Sequence, residues 1–155
     1  MSRSMNCFEQ SIQIKASATV VDKCITDLSL MERWLNPLLK CEPMGVWQTS
    51  VGSTSKFTIQ IPLLKPTLRN TVLVRQPGLI VWGFDGFFTG KDRWECEPNE
   101  RGTRLINRFE FDIPNPIVAW GFDRFAASLT KQDMEAQLRR IKLVAEGIYL
   151  GSYEL

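Results

Sequence analysis

The chain has 155 residues, 44% hydrophobic and 23% charged, and its 19 Lys and Arg against 17 Asp and Glu leave a formal net charge of +2. That is enough chain for one domain with a real core over residues 1–155, while the balanced charge, with no long basic run, gives nucleic acid no electrostatic footprint as a partner. No run approaches the roughly eighteen apolar residues of a membrane span, and the absence of histidine removes Ser-His-Asp and Cys-His catalysis.

The first residues, Met1-Ser2-Arg3-Ser4-Met5-Asn6, are polar and lack the apolar core of a secretory signal, so the expected location is the cytoplasm. Cys7, Cys24, Cys41 and Cys96 are unevenly spaced without a CxxC pair, which predicts free buried thiols in a reducing compartment and no metal site. Residues 8–15 alternate apolar and polar with Ile12 and Ile14 on one face, the pattern of a half-buried strand. The period then changes. Ser17 is placed to cap a short helix over residues 20–26, Asp27-Leu28-Ser29 breaks it, and a second short helix carries Met31, Trp34 and Leu35 before Asn36-Pro37 stops it.

Strands separated by turns follow. A weak strand over residues 40–48 and a turn at Gly52 lead to residues 55–61, where Phe57, Ile59 and Ile61 share a face. Pro62-Leu63-Leu64-Lys65-Pro66 interrupts the sheet. Residues 68–75 and 79–84 flank Gln76-Pro77-Gly78, and residues 88–97 and 103–113 flank Pro98-Asn99-Glu100-Arg101-Gly102, so two hairpins are expected. The strings Trp82-Gly83-Phe84-Asp85-Gly86-Phe87 and Trp120-Gly121-Phe122-Asp123-Arg124-Phe125 are nearly alike, but one ends a strand and the other starts a helix, and no longer period supports a repeat.

Residues 116–149 read as one long helix. Val118, Phe122, Phe125 and Leu129 form one apolar stripe, and Met134, Leu138, Ile141, Ala145 and Ile148 a second. The step of five from Leu129 to Met134 puts the stripes out of phase, so the helix either turns its buried face at residues 130–133 or bends there. Asn115-Pro116 opens it with a capping side chain and a first-turn proline, while Gly147 and Gly151 predict a frayed end. The whole is an α+β domain: a curved seven-stranded antiparallel sheet around a long C-terminal helix, with two short helices after the first strand.

That order of elements is the order of the helix-grip fold, and the chain resembles the START-like superfamily (SRPBCC), which includes the Bet v 1-like allergens, START domains, coenzyme Q-binding proteins and the polyketide cyclase/dehydrase family. The resemblance is carried by Ile14-Lys15-Ala16-Ser17-Ala18, Val21, Ile25-Thr26-Asp27, Trp34 and Asn36-Pro37, and by residues 134–146 of the last helix. Asp22 stands where the family usually has Trp, and Ala18 where it has Pro. The polyketide cyclase/dehydrase-like branch is the nearest placement. It implies either binding or transport of a hydrophobic small molecule (a lipid, polyketide, quinone or similar) or, as an alternative, an aromatase/cyclase-type enzyme using the same cavity.

Alternation says which side chains face inward. Asp92, Trp94 and Cys96 share one face of their strand against Lys91, Arg93, Glu95 and Glu97; Leu105, Asn107, Phe109, Phe111 and Ile113 share one face of the next. Asp92 and Asn107 thus break two apolar faces. Either they point into a cavity and orient a ligand, or they satisfy each other or meet water at the sheet's end. The aromatic side chains exceed what closing a core of this size requires, which favours a pocket over a solid interior. The expected ligand-binding set is Trp34, Phe57, Ile59, Trp82, Phe84, Asp92, Trp94, Asn107, Phe109, Phe122, Phe125 and Leu129. No cofactor is expected, and two further functions remain open: proton transfer by Asp92, and a protein-interaction role for the loop at residues 62–66.

Overall fold

The computed structural model describes residues 6–60, 66–86, 88–113, 115–116, 120 and 127–151. In chain order they form β1 (Asn6–Ile14), α1 (Ala18–Thr26), α2 (Leu28–Trp34), β2 (Leu39–Pro43), β3 (Thr54–Ile59), β4 (Thr67–Gln76), β5 (Leu79–Gly86), β6 (Thr89–Asn99), β7 (Gly102–Asp112) and α3 (Ala127–Gly151). The strands make one 7-stranded sheet in the order β1-β7-β6-β5-β4-β3-β2, with every pairing antiparallel. This is the helix-grip α+β fold. Since β1 and β2 are the two edges of the sheet, α1 and α2 carry the chain from one edge to the other, and α3 packs on β1, α1 and α2.

Local chemistry explains the corners. Ser17 caps α1, its Oγ accepting from the Val20 N–H at 3.2 Å. Asp27 both closes α1 and caps α2, its carboxylate accepting from the Leu30 N–H at 3.1 Å and from the Ser29 hydroxyl. Those hydrogen bonds hold the Asp27 carboxyl below the usual carboxylate range. Two indoles then pin the helix pair: Trp34 Nε1 donates to the Cys24 carbonyl and Trp47 Nε1 to the Thr26 carbonyl, each at 2.8 Å. Between β4 and β5 the turn is Pro77-Gly78, and Gly78 has φ +79°, the left-handed value that a Pro-Gly turn demands at its second position.

The main core lies between the sheet and the three helices, with Ile14, Val21, Leu105, Ile141 and Ala145 fully covered. A smaller cluster of Phe84, Phe111 and Ile113, with Phe8, Phe88 and Phe109 against it, forms under another part of the sheet. Asp22, at the position where the START-like pattern has Trp, does not pack in a core. It takes a two-pronged ion pair from Arg75 on β4, Nη1 to Oδ1 at 2.8 Å and Nη2 to Oδ2 at 2.7 Å.

Helix α3 bears on three expectations. It is helical throughout residues 130–133, so the phase step does not interrupt it. Leu129 is 62% exposed, whereas Met134, Leu138, Ile141 and Ala145 are buried. The helix also passes Gly147 and reaches Gly151, because Val144, Ala145 and Ile148 pack into the core on either side of the glycine and tertiary contact outweighs its propensity. Cys7 is exposed, leaving three of the four cysteines buried. Pro116 and Trp120 are helical; Phe122, Phe125 and residues 61–65 lie outside the described residues. No described helix is long and apolar enough to cross a membrane.

Candidate functional site

A cavity of about 380 Å³ lies between the inner face of the sheet, α2 and the first turns of α3, within the volume range of small-molecule sites. Its walls follow from strand alternation and register. Trp82 on β5 pairs with Asp92 on β6, Asp92 pairs with Phe109 on β7, and Trp94 pairs with Asn107, so these side chains form adjoining rows on one face. Phe84 stacks on Phe109 with ring centroids 5.4 Å apart, and Trp34 from α2 leans on Trp94 at 5.5 Å. Phe57 and Ile59 on β3 complete the wall.

Nine of the expected residues therefore meet at one cavity: Trp34, Phe57, Ile59, Trp82, Phe84, Asp92, Trp94, Asn107 and Phe109. Leu129 does not. It stands on the solvent side of α3, and the helix offers Thr130, Asp133, Met134 and Gln137 to the cavity instead. The reason is geometric: Leu129 and Met134 are five residues apart, about 140° around a helix, so both cannot face the sheet.

Asp92 and Asn107 line the cavity and satisfy each other as well. Asn107 Nδ2 donates to Asp92 Oδ1 at 2.7 Å and to the Arg93 carbonyl at 3.1 Å, and Trp94 Nε1 donates to Asp92 Oδ2 at 2.9 Å. Burial pushes the Asp92 carboxyl up to about 6, against the pull of the N–H donors from Asn107 and Trp94. Asp92 is half-buried and is at the same time part of the cavity lining.

Two polar features escaped the reading of the sequence. Asn70 on β4 is 8% exposed and lines the cavity; among the described residues its carboxamide has no hydrogen-bond partner. Its signal was present, since Asn70 falls between Leu68 and Val72 on one strand face in the way Asp92 precedes Trp94. The other feature is a polar latch at the cavity's helical side. Asp133 accepts from Asn36 Nδ2 and Gln137 Nε2, each at 2.7 Å, and Arg140 Nη2 lies 3.9 Å from it. Arg140 Nε also donates to the Trp34 carbonyl at 2.8 Å, tying α2 to α3. Nothing in hydrophobic periodicity marks such groups.

Among the described residues no three His, Cys, Asp or Glu side chains come together as a metal site. Burial pushes the thiols of Cys24 and Cys41 up to about 11 and that of Cys96 to about 12, which makes them poor nucleophiles at neutral pH. Among the described residues of the lining, the ionisable groups are therefore Asp92 and Asp133.

Comparison with known proteins agrees with this architecture. Residues 5–146 match the family described as polyketide cyclase / dehydrase and lipid transport. No curated protein matches by sequence. Among solved structures, the KanY protein superposes with a TM-score of 0.74 at 15% identity, over 93% of this chain and 99% of that one. TTHA0849 of Thermus thermophilus gives 0.72 at 15% identity, over 92% and 97%. The protein Ara h 8.0201, a Bet v 1-like structure, gives 0.66 at 13% identity, over 96% and 99%. Likeness at such identities speaks for the fold alone.

Proposed function

The chain belongs to the polyketide cyclase/dehydrase and lipid transport family, and from that premise we propose that it binds and carries a hydrophobic small molecule in the cavity between sheet and α3. The observation that carries this reading is a space of about 380 Å³ walled by Trp34, Phe57, Trp82, Phe84, Trp94 and Phe109, with few polar groups among them. Apolar walls of this kind favour a hydrophobic ligand, because covering them removes apolar surface from water and supplies dispersion contacts.

Two measurements test the reading. Native mass spectrometry of gently purified protein is expected to show a bound small molecule. The neutral probe N-phenyl-1-naphthylamine is expected to bind one to one and quench the cavity tryptophans. Protein that carries no added mass and leaves the probe free in solution refutes it.

One observation favours a second reading. A carboxyl raised to about 6 within a cavity has the proton affinity of a general acid or base near neutral pH. As an enzyme of the cyclase type, the protein would use Asp92 to move a proton on a bound chain. That reading requires Asp92→Asn to lose turnover by a far larger factor than it loses affinity.

A further inference from the structure

We propose that the cavity selects a hydrophobic amine, whose protonated nitrogen sits against Asp92 while its apolar body lies over Trp82 and Phe84. This deepens the binding reading and rests on it. The cavity lining contains two carboxylates, Asp92 and Asp133, and no Lys or Arg among the described residues. Asp133 is answered by Arg140 and by the amides of Asn36 and Gln137. Among the described residues Asp92 is answered only by the uncharged donors of Asn107 and Trp94. An ionised carboxylate has about four lone-pair sites, and two N–H groups leave the others free for a ligand.

The neighbouring amide points the same way. Asn107 Nδ2 spends both its hydrogens, on Asp92 Oδ1 and on the Arg93 carbonyl. Both partners are acceptors, so the amide cannot be turned around. Its Oδ1 is then a second acceptor on a residue that is 4% exposed, and no donor among the described residues reaches it. The site thus presents acceptors whose complement is a cation with several N–H donors, and an alkylammonium has three. Trp82 and Phe109 flank Asp92 on the adjoining strands, and aromatic rings attract a desolvated cation. A carboxylate or phosphate ligand would instead meet an uncompensated negative charge.

Three ligands with one ring system separate charge from apolar fit: 2-naphthylmethylamine, 2-naphthalenemethanol and 2-naphthoic acid, titrated against the full chain by calorimetry at pH 7.5. The amine is expected to bind about tenfold tighter than the alcohol, a difference of about 1.4 kcal/mol, with the acid weakest. Asp92→Asn is expected to erase most of the amine's advantage over the alcohol. Affinity for the amine should fall as the pH drops through about 6, while affinity for the alcohol stays level. Of the side chains that share the cavity lining with Asp92, Trp82 on β5, Asn107 and Phe109 on β7 and Trp34 on α2 are neutral, and Asp133 on α3, the other ionisable group of the lining, has Arg140 beside it. If the alcohol or the acid binds as tightly as the amine, the charge preference is overturned and the apolar binding reading stands. If none of the three binds, the binding reading falls and the preference falls with it. Should Asp92→Asn fail to fold, the pH profiles of the natural chain decide alone.

Discussion

Asp92 holds its proton more tightly in the folded chain than an exposed aspartate does, and the sign of that shift has a thermodynamic consequence. Its carboxyl rises from the ordinary value of 3.8 to about 6 because burial penalises the charge. The native state therefore binds the proton in a pH window where the unfolded chain has released it, and stability linked to this group is complete below 3.8 and lost as pH rises through about 6. Asn at this position cannot titrate. Thermal melts of Asp92→Asn and the natural chain between pH 4 and 7.5 are expected to show the variant gaining on the natural protein as pH rises, with the gain levelling off above the window. A difference that stays constant across the window would mean that Asp92 is not desolvated. The same residue was legible from alternation alone, and its pairing with Asn107 was one of the alternatives that alternation left open; choosing between them needed the register of β6 and β7, and the bond from Trp94 two residues along the same strand is a rotamer choice that periodicity does not mark.

Among the elements, α1 is held to the sheet by a charge where the related pattern has an indole. The Asp22–Arg75 pair joins α1 to β4, and both side chains are largely covered, at 22% exposure for Arg75 and 19% for Asp22. Two parallel N–H···O bonds between charged groups make this a stronger tie than a typical surface pair. Arg75→Met is expected to lower the unfolding free energy by about 1.5–3 kcal/mol in urea titrations, and Arg75→Lys to recover part of it, since a point charge cannot reproduce the fork. Neither residue lines the cavity, so affinity for a neutral probe should be unchanged; a cost below about 0.5 kcal/mol would reduce the pair to an ordinary surface contact. The elements themselves were largely readable. Ser17 and Asp27 mark the helix ends by their side-chain oxygens, and Pro77-Gly78 marks a turn by its backbone preferences. The phase of α3 at the cavity was not readable, and the reason is physical. Apolar periodicity finds faces that pack, whereas Thr130, Asp133 and Gln137 face a space that is not packed, so the stripe ending at Leu129 misdirected the assignment of that turn.

In the molecule as a whole, two apolar clusters share one sheet and the cavity draws on both. Trp34, Trp82 and Trp94 belong to the larger cluster, and Phe84 and Phe111, with Phe109 against them, to the smaller. Stability and binding should therefore separate in space. Ile141 on α3 is 0% exposed in the larger cluster and takes no part in the cavity, so Ile141→Ala opens a void in tightly packed surroundings and is expected to cost about 2–5 kcal/mol. Phe109 borders a space that already exists, and removing its ring enlarges that space without stranding as many partners. Phe109→Ala should then fall at or below the lower end of the range of about 3–5 kcal/mol usual for a buried phenylalanine, yet weaken a neutral apolar probe by tenfold or more through loss of ring contact. Urea unfolding and probe titration on both variants give four numbers. Ile141→Ala is expected to move stability and spare affinity per folded molecule, and Phe109→Ala to do the reverse. If Phe109→Ala proves the more destabilising of the two and leaves the probe's affinity intact, the ring is holding the core together and the space beside it is not where a ligand binds.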